Sequence, residues 1–223
     1  METREEIEAT LNQNFKEIMI EPSHDRSREI NQITRNIPSP ITQQHNELLM
    51  KPISLTEVEE AAFQMEEGKA PSPDGFTVNF FHHFWDIIKQ EVWKIIEDSR
   101  VSRKILPAFN ATFLTLNPKC EGVDSLDKLR PISLCNVIYE IITKIIANRL
   151  KPLLPSLISL EQSRFVEGRQ ITDGIILLHE VLHSVRTKKI SGMMVKLDIA
   201  KAHDKINWQI MRKLLTTFRF RDD

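Results

Sequence analysis

A short apolar run, Met193-Met194-Val195-Lys196-Leu197, ends on Asp198 and gives way to the more polar stretch Ile199 to Trp208. The pattern predicts a buried strand with a carboxylate at its exit, followed by a helix. An acid held on a rigid strand end suits a hard divalent cation, which prefers oxygen ligands. Lys119 and Arg130 form a second candidate group, each at or just past the end of a predicted strand and joined by a polar loop. A hairpin there would bring together two cations able to grip a polyphosphate, arginine by bidentate contacts and lysine as a point charge. On spacing alone, a pair of solvated surface charges is the commoner explanation.

Two other motifs invite chemistry. His179-Glu180-Val181-Leu182-His183 matches the H-E-x-x-H zinc signature on a predicted helix. A catalytic zinc needs a third protein ligand and an open position for water. No glutamate follows Glu180, which leaves Asp198, His203, Asp204 and the terminal aspartates as candidates. An amphipathic helix that packs Ile175, Leu178, Leu182 and Val185 is the favoured account, and a zinc hydrolase the minor alternative. His82-His83 is expected on exposed helix surface.

The elements that must position these residues follow from periodicity and punctuation. Residues 1–50 are polar and weakly periodic, broken by Pro22, Pro38 and Pro40, and are expected as helical fragments joined by partly mobile linkers. Ser54-Leu55-Thr56-Glu57 has the capping-box pattern and opens a helix with Val58, Ala62 and Met65 on one face, ending at Gly68. Two prolines and a glycine make Lys69 to Phe76 a loop. A single long helix then carries Phe81, Phe84, Ile88, Val92 and Ile95 on one stripe. Alternation predicts a strand over Asn110 to Leu116, closed by Pro118, and a second extended segment over Leu129 to Leu134. Helices are predicted over Val137–Leu150 and Ile171–Val185, and a last one with Trp208, Met211, Leu215 and Phe218 on one face.

Composition excludes several classes. An apolar content of 41% and a charged content of 27% are ordinary for a globular domain. No apolar run is long enough to cross a bilayer, and the acidic start does not resemble a secretory signal, so no membrane partner and an intracellular setting are expected. Two cysteines, Cys120 and Cys135, are too few for a disulfide scaffold or a four-ligand zinc site. The net charge of −1 hides an asymmetry: residues 1–100 hold 10 Lys and Arg against 19 Asp and Glu, and residues 101–223 hold 20 against 12. A basic half can attract phosphates, which supports a nucleic-acid partner without establishing one.

Several segments together resemble one family, the reverse transcriptases of non-LTR (LINE-type) retrotransposons, particularly the kind abundant in plants. Lys69 to Phe76 resembles its K-A-P-G-P-D-G-F segment, with Ser72 where glycine is usual. Leu114 to Lys119 is similar to its L-I-P-K strand end, and Arg130-Pro131-Ile132-Ser133-Leu134-Cys135-Asn136 through Asn148-Arg149-Leu150 to its R-P-I-S-L block. Gln162 to Ile171 resembles its Q-x-x-F-x-x-G-R block, with Gly174 where asparagine is common. Lys196 to Trp208 resembles the first catalytic block, K-L-D-x-x-K-A-Y-D-x-x-x-W. Phe218-Arg219-Phe220 resembles a helix-ending F-G-F, with arginine replacing glycine. That last match sets aside Phe220-Arg221-Asp222-Asp223 as the family's aromatic-x-Asp-Asp box.

The resemblance implies a helix-rich α+β fold, the fingers of a right-hand polymerase with an incomplete beginning of the palm. Residues 1–50 would be a polar N-terminal segment, 51–190 the fingers-like region, and 191–223 the first palm strand and its helix. Lys119 and Arg130 would hold the incoming deoxynucleoside triphosphate. Asp198 would be the catalytic metal ligand, and His203 would stand where the family places an aromatic ring under the sugar. Gln162, Phe165, Gly168 and Arg169 would shape the template channel. RNA template and DNA primer would be partners, and magnesium the cofactor of the complete domain, held weakly by this stretch. With one palm carboxylate in view, the chain alone is expected to be inactive, and an exposed palm edge to favour self-association. A non-catalytic nucleic-acid-binding remnant is the alternative.

Overall fold

Thr3 and Ser54 each begin a helix in the same way. Each side chain accepts a hydrogen bond from the backbone N–H three residues on, and Glu6 or Glu57 reaches back to the cap's own N–H. These reciprocal bonds satisfy donors that a helix start otherwise leaves orphaned. A computed structural model describes residues 3–20, 26–123, 125–160, 162, 166–191, 193 and 206–222. In chain order it contains α1 (Arg4–Met19), α2 (Ser27–Thr34), α3 (Gln43–Leu49), α4 (Leu55–Phe63), α5 (Val78–His83) and α6 (Trp85–Ser102). Then come β1 (Thr112–Pro118), β2 (Leu129–Cys135), α7 (Val137–Leu150), α8 (Leu154–Leu157), α9 (Ile171–Thr187) and α10 (Trp208–Thr217). The result is a helix-rich α+β protein with one two-stranded antiparallel sheet among the described residues.

The chain divides into two units, 47–152 and a second made of 1–46 with 153–222. In the first, α4 packs against α5, α6 and α7. Its face carries Val58, Ala61 and Ala62, all at most 1% exposed, and the two alanines allow close helix approach. Ile141 and Ile145 of α7, Val92 and Ile96 of α6, and Phe81 and Trp85 complete the core. The buried indole of Trp85 and the half-buried one of Trp93 each keep a polar partner. Trp85 Nε1 donates to Glu59 (2.9 Å) and Trp93 Nε1 to the Ile53 carbonyl (2.7 Å).

Arg149, at the end of α7, ties this unit together. Its guanidinium grips the Glu57 carboxylate with two hydrogen bonds of 2.8 and 2.9 Å and donates to the carbonyls of Leu49, Lys51 and Pro52. One side chain thereby fixes the start of α4, the end of α7 and the segment that precedes α4.

Three expectations change here. The helix opened by Ser54 stops at Phe63 rather than near Gly68. The single long helix is two, interrupted at Phe84, whose backbone leaves the helical region (φ −100°, ψ 13°). The buried stripe is accordingly Phe81, Trp85, Val92 and Ile96, while Phe84 is exposed. His82 is not on open surface, since its side chain is 12% exposed. Its ring stacks on Phe63 at 4.6 Å, and its two nitrogens face Glu67 Oε1 (2.9 Å) and the Ala62 carbonyl (2.8 Å).

In the second unit, α2 packs on α10. The end of α10 is satisfied by residues far away in sequence. Ser39 Oγ donates to the Thr217 carbonyl (2.7 Å), Ile41 N–H to Phe218 (3.3 Å), and Asn46 Nδ2 to Arg219 (2.8 Å). Asn46 Oδ1 also accepts from Arg221 N–H (3.1 Å), so the buried amide engages the chain like a short strand partner. Arg219 has φ +70°, the left-handed conformation in which helices commonly end. The helix α9 packs less than its sequence predicts. Among the described residues nothing buries Ile175 or Leu178, which are 52% and 42% exposed. Its apolar residues Ile175, Ile176, Leu177, Leu178 and Val181 spread around the helix rather than along one stripe, so no single neighbour could cover them all.

A candidate nucleotide-binding hairpin

β1 and β2 pair with Asn117 opposite Arg130 and Pro118 opposite Leu129. One further backbone bond, from Lys119 N–H to the Lys128 carbonyl (2.8 Å), prolongs the ladder. In an antiparallel pair, hydrogen-bonded and non-hydrogen-bonded positions alternate, and so do the faces. The Lys119–Lys128 bond sets that phase. Asn117–Arg130, Thr115–Ile132 and Phe113–Leu134 are hydrogen-bonded pairs on one face. Leu116–Pro131 and Pro118–Leu129 fall at the alternate positions, where the proline nitrogens point away from the partner strand and no ladder donor is lost.

The hairpin anticipated from the strand ends is thus formed, and its register brings Lys119 and Arg130 onto the same face at the loop end. Both are exposed. Lys128, whose carbonyl accepts that bond, ends a short 3-10 turn (Leu126–Lys128) in which its own N–H bonds the Ser125 carbonyl (3.1 Å). After β2, Asn136 begins α7 fully buried, its Nδ2 donating to the Ala108 carbonyl (2.7 Å). That bond ties the base of the hairpin to the loop after α6. Among the described residues, Asn136 Oδ1 is buried without a hydrogen-bond partner.

The K-A-P-type loop is built by the serine that departs from the family pattern. Ser72 is buried, and its hydroxyl engages Asp74 Oδ1 (2.7 Å) and the Phe76 carbonyl (3.2 Å). Gly75 N–H donates to the Ser72 carbonyl, and Gly75 takes φ +79° to close the turn. On α7, burial pushes the Glu140 carboxyl above the usual carboxylate range, and the charge of Lys69 from this loop opposes it.

Arg169 is spent locally. Its guanidinium donates to the carbonyls of Pro155, Ile158, Ser159 and Gln162. Gly168, at φ +79°, forms the turn in which Arg169 N–H bonds the Val166 carbonyl. Gln162 contributes a carbonyl to this cluster. Phe165, Asp198, His203 and Asp204 lie outside the described residues, as does the predicted strand up to Asp198 and the edge it would expose. His179 and His183 are exposed on α9. Among the described residues, no three His, Cys, Asp or Glu side chains gather as metal ligands.

Residues 117–223, beginning within β1 and including both hairpin cations, match the family described as reverse transcriptase (RNA-dependent DNA polymerase). A Xenopus laevis protein described as the Transposon TX1 uncharacterized 149 kDa protein is 31% identical over 180 residues, 81% of this chain. Residues 117–223 belong to the reverse transcriptase family. The chain spans 14% of the length of that Xenopus relative. Within the reverse transcriptase segment, the R-P-I-S-L block is the second hairpin strand and the start of α7. The Q-x-x-F-x-x-G-R block includes the arginine-centred turn that precedes α9. No helix among the described residues is long and apolar enough to cross a membrane.

Proposed function

We propose that this chain supplies the fingers and the first palm segment of an RNA-directed DNA polymerase, and that the β1–β2 hairpin grips the incoming deoxynucleoside triphosphate. The register that puts Lys119 and Arg130 on one face carries the reading. Arginine gives directional bonds to phosphate oxygens and lysine adds a compact charge. Asp198 would ligate the magnesium of the assembled active site, and His203 would border the sugar. Gln162, Phe165, Gly168 and Arg169 would border the template. Of these, Gly168 and Arg169 would act through the loop they shape. RNA would be held by backbone and 2′-hydroxyl contacts.

The test is titration of the 223-residue chain with a deoxynucleoside triphosphate, followed by calorimetry. Lys119→Gln and Arg130→Gln should each weaken binding by roughly tenfold, the scale of one charged hydrogen bond, with an unchanged circular dichroism spectrum. Equal affinity in the parent and both variants rules the reading out.

A further inference from the structure

We infer that a pocket at the end of α5 binds a guanidinium side chain presented by a partner polypeptide; this does not depend on the nucleotide-binding reading. The pocket, of about 520 Å³, is lined by Glu67, Asn79, Phe80, His82, His83 and Phe84, with no lysine or arginine among them. The helix break at Phe84 shapes it. Phe80, His83 and Phe84 stand three and four positions apart, so they share one side of the chain, and Phe84 is left 40% exposed. The Phe80 and Phe84 rings meet at 5.0 Å, and His83 meets Phe84 edge-on at 4.8 Å. Glu67 supplies the charge, and Asn79 positions it. Asn79 Oδ1 accepts from Gly68 N–H (2.9 Å) and its Nδ2 donates to Glu67 Oε2 (3.2 Å), while His82 Nδ1 lies 2.9 Å from Oε1. An ionised carboxylate has about four acceptor positions, so each oxygen keeps room for a further donor. The lysines nearest in sequence are engaged elsewhere, Lys69 with Glu66 (3.7 Å) and Lys89 with Asp86 (2.6 Å). A ring face attracts a cation, and a carboxylate beside it adds charged hydrogen bonds and repels phosphate. A planar guanidinium can lie on the rings and bond both carboxylate oxygens, which an ammonium cannot do. Phe76 leans on Phe80 at 4.6 Å and is 45% exposed, so apolar surface continues beyond the pocket for the residues that flank an arginine.

The experiment titrates the full chain with three probes and follows the NMR signals of the Phe80 and Phe84 rings. The probes are N-acetyl-arginine amide, its uncharged isostere N-acetyl-citrulline amide, and N-acetyl-leucyl-arginine amide. The citrulline compound should bind about tenfold more weakly than the arginine compound, the scale of a charged hydrogen bond. The leucyl-arginine compound should bind about threefold more tightly, through the apolar surface beside the pocket. Glu67→Gln keeps an acceptor for Asn79 and should lower arginine affinity about fivefold, and Phe84→Leu about threefold, both with an unchanged circular dichroism spectrum. Ring signals that do not move with arginine, citrulline binding as tightly as arginine, or full affinity in Glu67→Gln each overturn the inference. Equal affinity for the two arginine compounds overturns the polypeptide as the source of the cation.

Discussion

Arg149 shows how much one side chain can hold. It satisfies the Glu57 carboxylate and three backbone carbonyls at once, and its side chain is 14% exposed against 33% for Glu57. Breaking a fully buried pair costs about 3–5 kcal/mol and an exposed one about 0–1 kcal/mol. This pair lies between, so Arg149→Ala should lose about 2–3 kcal/mol in urea unfolding. Hydrogen bonds from Arg149 hold the Glu57 carboxyl below the usual carboxylate range, and Arg100 does the same for Glu97. A depressed carboxyl favours the folded state while it is ionised. That contribution is complete above about pH 4.5, the ordinary glutamate value, and disappears as pH falls through the lower folded values. The acid limb of a stability profile should therefore flatten in Arg149→Ala. Glu140 has the opposite sign. Burial raises it, so its ionisation at neutral pH opposes folding, and stability should fall as pH rises from the ordinary value through the raised one. Glu140→Gln should raise the melting temperature at pH 7 and have no such effect near pH 4. An unchanged midpoint at pH 7 would remove this account.

At the scale of elements, the sequence was most legible where the determinants are local. Asn136 and the isoleucine spacing delimit α7, and the predicted bounds Val137–Leu150 are those observed. The hairpin was legible from two short alternating runs with polar residues between them. His82 was not, because its acceptors on Glu67 and Ala62 lie 15 and 20 positions away. The capping of α10 by Ser39, Ile41 and Asn46 was equally hidden, with partners more than 170 positions apart. The phase of the hairpin is set by one backbone bond that no propensity reveals. The end of α10 offers a direct test. Arg219 takes a left-handed conformation where the family pattern has glycine, and an L-residue there costs about 1 kcal/mol. Arg219→Gly relieves that strain but also frees the unfolded chain, so a net gain of about 0.5 kcal/mol is expected in chemical denaturation. A loss of more than that would mean that the arginine side chain is itself needed.

For the whole molecule, the division into two units is the feature that sequence periodicity did not show. The predicted boundaries followed composition and motif order, whereas the unit 47–152 is defined by which helices share a core. Every member of the main hydrophobic cluster, from Ile53 to Ile145, falls inside it. So do the Arg149 clamp and the hairpin. A polypeptide of residues 47–152 should then keep helical circular dichroism and melt in one cooperative transition. It should also bind a deoxynucleoside triphosphate with the affinity of the 223-residue chain. A featureless melt would show that the cluster is insufficient by itself.

The two prolines of the hairpin have a consequence for association. Pro118 on β1 and Pro131 on β2 sit at the outward-facing positions, one on each edge that is unpaired among the described residues. An incoming strand needs those N–H groups as donors, and neither edge can supply them there. The hairpin therefore resists growing into a larger sheet with another chain, despite the exposure of Phe113, Leu114 and Ile132. Its flat faces, rather than its edges, are left to meet a ligand.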